Sequence, residues 1–482
     1  MSDLRPVGYV IGLLVAALGA VMLLPFVADL IEGDGNWPVF LGCAAITALI
    51  GAALALACAN GAGQGLTIQQ SFLLTTGTWV VLPLFGAVPF MLGAPHVGLT
   101  DAYFEAMSGL TTTGSTVFAN LDHLPAGTLL WRGLLQWLGG LGIVIVAMVF
   151  LPVMKVGGMQ YFRSESFDTL GKILPRALDI STGLIRVYLA LTLACTATYF
   201  ALGMSGFNAF VHALTTVSTG GFASSDKSFA AYAGPLEYAS AAFMLLASMP
   251  FIRFVQLGDG KWRPLWRDVQ VRAYLRWNAY AIAAIVLYEV IDRGAPFFAT
   301  LRETTFNVVT IFSGTGYTSV DIGLWGPFPF MVVFIAGMIG GCTASTGCSI
   351  KVFRFLIVFE AIRTQIRRIL RPNAVLPVRL EGHPVSEDVI NSVIVLVTVF
   401  VLTFGVVAVG LSFIGLNSET AVTAAWTSVF NIGPAFGPGV GPTGAMEAFP
   451  WPAKWLMSFG MLAGRLELLS VFVLFVPRFW RG

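Results

Sequence analysis

The stretch Met107–Val117, MSGLTTTGSTV, decides the reading of this 482-residue chain. It is a run of small and hydroxyl residues around one glycine, set between two long apolar segments. It comes back as LTTVSTGGFA at Leu214–Ala223, VTIFSGTGYTS at Val309–Ser319 and FNIGPAFG at Phe430–Gly437. Alignment on Gly114, Gly220, Gly316 and Gly433 places Thr113, Thr219, Thr315 and Ile432 before the glycine. Phe104, Phe210 and Phe306 then share one offset upstream, and Thr423 takes that place in the fourth copy. A period of roughly 100 residues points to an architecture built from copies of one unit.

Composition supplies the medium. Only 11% of the residues are charged, against about a quarter in an ordinary soluble domain. Several apolar runs exceed the ~20 residues that a helix needs to cross a bilayer. The expected class is an all-α polytopic membrane protein. The N-terminal run is too long for a signal peptide and lacks a cleavage site of small residues, so it is expected to stay as a first span. Five scattered cysteines form neither a disulfide framework nor a zinc pattern. No basic nucleic-acid footprint and no paired acids, H-E-x-x-H or Ser/His couple at membrane depth appear, which argues against nucleic-acid binding and against an enzyme.

Each glycine stretch lies between two spans and is preceded by a segment long enough for only half a helix. Residues 1–70 are expected to hold two extra N-terminal spans, at Val7–Leu30 and Val39–Ala59. Four span–pore-loop–span units are expected to follow, at 71–160, 161–260, 261–380 and 381–482, giving ten spans and four re-entrant loops. With the N-terminus inside, the predicted inner segments 1–6, 155–186, 253–276, 351–379 and 478–482 hold 21 of the 27 Lys and Arg. This bias puts the N- and C-termini in the cytoplasm and all four glycine loops on the outer side. Arg132 counts among the few outer cations. Asp101, Glu105, Asp122, Asp226, Glu237, Glu303, Asp321, Glu419 and Glu447 are expected on the same side, where they would draw cations.

Gly/Thr-rich stretches also serve as packing seams between membrane helices. Four of them on one side call for a different account. Non-helical backbone at membrane depth is tolerated where protein buries it or where it lines a water-filled path. Four loops around one axis would present carbonyl and hydroxyl oxygens to a bare cation, and an all-oxygen site suits a hard one. The expected cation filter is Thr112, Thr113 and Gly114; Ser218, Thr219 and Gly220; Gly314, Thr315 and Gly316; and Asn431, Ile432 and Gly433. His212, beside the second loop, is expected to pack or hydrogen-bond there.

These residues resemble the Trk/Ktr/HKT superfamily of potassium and sodium transporters, and most closely its TrkH-type subunits of bacterial potassium uptake. The resemblance rests on the four loops and on Trp131–Pro152, Gly157–Ser166, His212–Ala223, Gly340–Gly347 and Gly464–Leu468, and it covers the whole chain. It implies potassium uptake across the inner membrane through one central pore per chain, in a homodimer. It also implies a cytoplasmic TrkA-type nucleotide-binding regulatory partner. The chain itself would carry no cofactor, with potassium as the substrate and any nucleotide on the partner. Sodium-conducting plant relatives have serine at the place of Gly114, so the pattern here is of the potassium type.

Gly340, Gly341, Cys342, Ser345, Thr346 and Gly347 interrupt an apolar segment where helix propensity is poor. The resemblance makes them the gate, together with Arg465 as an electrostatic barrier below the filter that bonds this loop. Cys348 and Ser349 stand where relatives commonly have two glycines. A charge in the final span is costly, and Glu467, two positions on, points to another helix face. The competing reading is a proton- or sodium-coupled symporter with alternating access.

Overall fold

The computed structural model describes residues 3–63, 65–149, 154, 156–159, 173–374, 376–441 and 443–480. Much of the expected inner segment 155–186, including Lys155, Arg163 and Lys172, lies outside the described residues. The described residues are helical apart from short loops and one two-stranded hairpin, Arg379–Leu380 with His383–Pro384.

Two helices open the chain, Arg5–Glu32, which turns at Met22, and Trp37–Ala57. They pack backbone to backbone. A Cβ on Gly12 would come 2.5 Å from the Ala55 nitrogen, and one on Gly19 2.6 Å from that of Ala48. Such contacts replace the hydrophobic drive that lipid removes. The pair is docked on the first unit through acids. Asp34 accepts a 2.9 Å hydrogen bond from the Ala126 nitrogen, and Asp29 accepts one from Gly127. Both carboxylates face the first turn of Ala126–Val149, where the helix dipole favours negative charge.

Each unit then runs span, short helix, extended loop, span. The short helices are Leu99–Leu110, Gly206–Val217, Phe297–Ser313 and Ser418–Phe430, called here pore helices one to four. Ser205 and Asn417 cap the second and fourth with side-chain bonds to the Asn208 and Glu419 nitrogens, which satisfies first-turn N–H groups. All four pore helices end at a glycine-containing loop.

The flanking spans are less regular than the sequence suggests. Six helices among the described residues are long and apolar enough to cross a membrane, or eight if each of two bent pairs counts once. The remaining two expected spans are Val269–Arg293, which carries three arginines and two acids, and the interrupted Pro327–Met338 with Val352–Leu370. The segment expected as one span at Tyr238–Val255 bends by 93° between Pro235–Ala247 and Phe251–Gly258. Pro250, which cannot donate a backbone hydrogen bond, sits at the break. The expected final span, Pro452–Val476, bends by 107° after Trp451–Arg465. Glu467 and Leu468 turn it with φ of 60° and 51°.

Candidate functional site

The four loops close a ring. A Cβ placed on Gly114 would land on the Gly220 carbonyl oxygen, one on Gly221 on that of Thr315, and one on Gly316 on that of Ile432. One on Gly433 would come 3.0 Å from the Thr113 carbonyl oxygen, so the fourth loop returns to the first. All four glycines have positive φ, at 86°, 79°, 81° and 113°. That backbone, pressed against a neighbouring strand, accepts no other residue without strain.

The ring corrects the register of the second loop. Its positive-φ pair is Thr219 and Gly221, matching Thr112 and Gly114, Gly314 and Gly316, and Asn431 and Gly433. Backbone bonds agree: Thr113, Gly220, Thr315 and Ile432 each donate to the residue five back, at Ser108, Thr215, Thr310 and Thr427. Gly220 therefore takes the place of Thr113, and the counterpart of Gly114 is Gly221. The shared phenylalanine offset dissolves with it. Phe104 and Phe306 are fully buried, whereas Phe210 is 37% exposed, and the equivalent core position is Val211.

Side chains around the ring brace it. Gln136 donates to the Gly220 carbonyl at 2.6 Å and accepts from the Phe222 nitrogen at 3.0 Å, so one amide grips both sides of the second loop. Asn431 donates to the Thr113 hydroxyl at 2.8 Å and to the Met461 carbonyl at 2.9 Å. Ser115 donates to the Gly433 carbonyl at 2.7 Å. Tyr317 bonds Thr215 at 2.5 Å and lies tilted beside His212, with ring centroids 6.0 Å apart; the His212 Nδ1 lies 2.9 Å from the Asn208 carbonyl. His212 thus packs and hydrogen-bonds, as expected.

Arg132 and Glu105 depart from expectation. Neither is on an exposed outer face: they form a 2.8 Å ion pair at 1% and 0% exposure. Glu105 also accepts from the Thr116 hydroxyl and the Val117 nitrogen, and Arg132 donates to the Ala223 carbonyl at 2.8 Å. The pair staples the exits of loops one and two to each other. Glu237 is likewise buried against Arg302 at 2.8 Å, and Asp101 holds Lys454 at 2.6 Å. These acids are engaged by cations of the chain, so their pull on outside cations is largely spent within it.

The Gly340–Ser349 segment docks on the pore helices and loops from the other side. Thr346 donates to the Val217 carbonyl at 3.0 Å, the Cys348 nitrogen to Ser313 at 3.3 Å, and the Ser349 nitrogen to Phe430 at 3.1 Å. The Cys348 thiol reaches the Thr112 carbonyl at 3.7 Å. One segment thus touches a carbonyl from each of the four units. Its glycines serve close approach: a Cβ on Gly340 would strike the Cys348 carbonyl, and one on Gly347 would lie 2.9 Å from the Gly341 Cα.

Cys348 and Ser349 both have physical work here. Ser349 sits at φ 60°, an unfavourable region for a residue with a Cβ. Its hydroxyl bonds the Gly337 and Phe430 carbonyls at 2.6 and 2.9 Å, which offsets that cost. Cys348 accepts a 2.9 Å contact from Arg465, which also donates to the Thr346 carbonyl at 3.3 Å. Glu467 turns away to Arg354 at 2.6 Å, because the helix ends at Arg465 and Glu467 sits in the break that follows, not on another helix face. A cavity of about 30 Å³ lies between Cys348, Lys351, Asn431 and Arg465, room for little more than a water or two.

Sequence reasoning assigned no role to Gln136 and misplaced Arg132. Both are polar residues in the apolar run WRGLLQW, and that was the available signal. It also passed over Gly221, because the doublet Gly220–Gly221 allows two registers.

Three comparisons bear on this arrangement. The family profile described as TrkH, cation transport protein, matches residues 38–481. The chain is 38% identical to the Trk system potassium uptake protein TrkI of Halomonas elongata, over 99% of this chain and 97% of that one. It is 32% identical to the Trk system potassium uptake protein TrkH of Escherichia coli, over 99% of each. Its fold superposes on the crystal structure of the potassium transporter TrkH from Vibrio parahaemolyticus with a TM-score of 0.92, at 28% identity and full coverage of both chains.

Proposed function

The chain belongs to the TrkH family of cation transport proteins, and from that premise we propose that it carries potassium into the cell through the ring of four loops. The observation that carries this reading is the closed cycle from Gly114 through Gly221 and Gly316 to Gly433. Four extended strands held at one level supply carbonyl and hydroxyl oxygens in place of a cation's water shell. The filter is Thr112–Gly114, Thr219–Gly221, Gly314–Gly316 and Asn431–Gly433, with Ser218 just before the second strand. Each pore helix directs its C-terminal end, the negative end of its dipole, at this level.

The gate is the Gly340–Ser349 segment with Arg465. In this arrangement the segment lies against a carbonyl of all four units, and the small cavity beside Arg465 leaves no room for a hydrated ion. Opening requires the segment to leave its four carbonyl partners. Arg465 both holds the segment, through Cys348 and Thr346, and repels cations below the filter. The chain works in the bacterial inner membrane with both termini in the cytoplasm, as a homodimer. It transports rather than catalyses, and a cytoplasmic TrkA-type partner carries any nucleotide.

The test is rubidium-86 uptake into liposomes that hold the purified chain and the partner, driven by an outward potassium gradient. Uptake blocked by external potassium but little by sodium is expected. Equal block by both ions removes the potassium assignment. Uptake that requires a proton or sodium gradient would replace the pore with the coupled symporter.

A further inference from the structure

Behind the first pore helix lies an apolar pocket of about 380 Å³ that the transport reading does not use. One wall is the first span, whose lining positions run from 10 to 21. At 1.5 Å per residue this is a slot about 16 Å long. The other walls come from the two spans of the first unit, and the inner end is Leu110, the last residue of pore helix one. Leu14 and Ala17 are exposed at the rim, whereas Trp79 and Leu110 are buried inside. Gly142 keeps the inner wall open: a Cβ there would press on the Trp79 ring at 3.1 Å.

We propose that this pocket is a binding site for one acyl chain of a bilayer lipid. The walls are membrane-spanning helices, so the medium at the mouth is hydrocarbon rather than water. Half of a ~30 Å hydrocarbon core is about 15 Å, the length of the slot. Leucine, isoleucine, valine and tryptophan dominate the wall, and of its two threonines Thr75 already donates to the Ser71 carbonyl, so water finds few partners and stays out of such cavities. The pocket is open along its rim at Leu14 and Ala17, so hydrocarbon from the bilayer has a way in. A single methylene chain satisfies the width, the length and the chemistry together. Seated there, it bears on Leu110, one residue before the first loop begins. Gly139 completes that link, because a Cβ on it would fall on the Leu110 carbonyl.

The site stands on the membrane fold alone and is tested without a transport assay. The full-length protein is reconstituted in phosphatidylcholine brominated midway along one acyl chain, and tryptophan emission is read against the unbrominated lipid. Subtracting the Trp79→Phe variant isolates Trp79, which is 6% exposed. The expected result is at least twofold quenching of the Trp79 signal. Ala17→Phe, which adds bulk at the exposed rim, is expected to cut that quenching several-fold, with the remaining tryptophans quenched as before. An unquenched Trp79, or quenching that Ala17→Phe leaves unchanged, overturns the proposal.

Discussion

Replacing Gly221 with alanine, beside the same change at Gly220, tests the register of the second loop. Gly221 has φ 79°, and its added Cβ would land on the Thr315 backbone carbonyl. The left-handed backbone costs an ordinary residue about 1–2 kcal/mol. Forcing a methyl into a closed contact adds about 1–3 kcal/mol. The total is roughly 2–5 kcal/mol against the conformation that closes the ring. Gly220 does not have a positive φ, and its added Cβ meets the Gln136 side-chain amide instead. That amide can move with the loss of its two hydrogen bonds, about 1–2 kcal/mol. A difference near 2 kcal/mol corresponds to roughly thirty-fold in the fraction of molecules with an intact ring. The assay is rubidium-86 uptake at matched protein density, with potassium and sodium as competitors. Gly221→Ala is expected to lose at least ten times more uptake than Gly220→Ala. Equal loss, or greater loss at Gly220, would refute the register and with it the four-fold equivalence drawn from the positive-φ glycines.

Three other changes read different parts of the site. Arg465→Ala removes the barrier below the filter and two of the segment's holds, so basal uptake without partner is expected to rise severalfold; unchanged or lower uptake in folded protein contradicts the gating role. Cys348→Gly removes the thiol between Arg465 and the first loop and is expected to raise basal uptake, while Cys348→Ser keeps an acceptor and stays near wild type; identical fluxes for the two would deny Cys348 any part in the hold. Arg132→Met leaves Glu105 buried without its partner, a loss of about 3–5 kcal/mol, read as a lower midpoint of thermal unfolding in detergent. Pairing it with Glu105→Gln should recover part of that loss, and a fully additive double variant would mean the two residues do not act together.

Much of this molecule is written in its order of residues. Apolar length and the excess of Lys and Arg on alternate segments mark a multi-pass chain, because hydrocarbon tolerates little else. The glycine stretches between spans mark four re-entrant units, because extended backbone at that depth needs a shared axis. Arg465 was legible as a charge that must face protein, and the Gly340–Ser349 run as a break in a helix.

The remaining features follow from contacts between units. Gly220 and Gly221 read alike in a linear sequence. The choice between them is made by where the Thr315 carbonyl stands and by which residue lies five positions beyond Thr215. Glu105 and Arg132 are 27 positions apart and look like surface charges until the first pore helix packs against the following span and brings them to 2.8 Å. Ser349, at φ 60°, looks out of place until the carbonyls of Gly337 and Phe430 receive its hydroxyl. A sequence carries the periodicity that makes four similar units. It does not carry the neighbour that each strand meets, and the backbone of the next unit fixes which glycine must be a glycine.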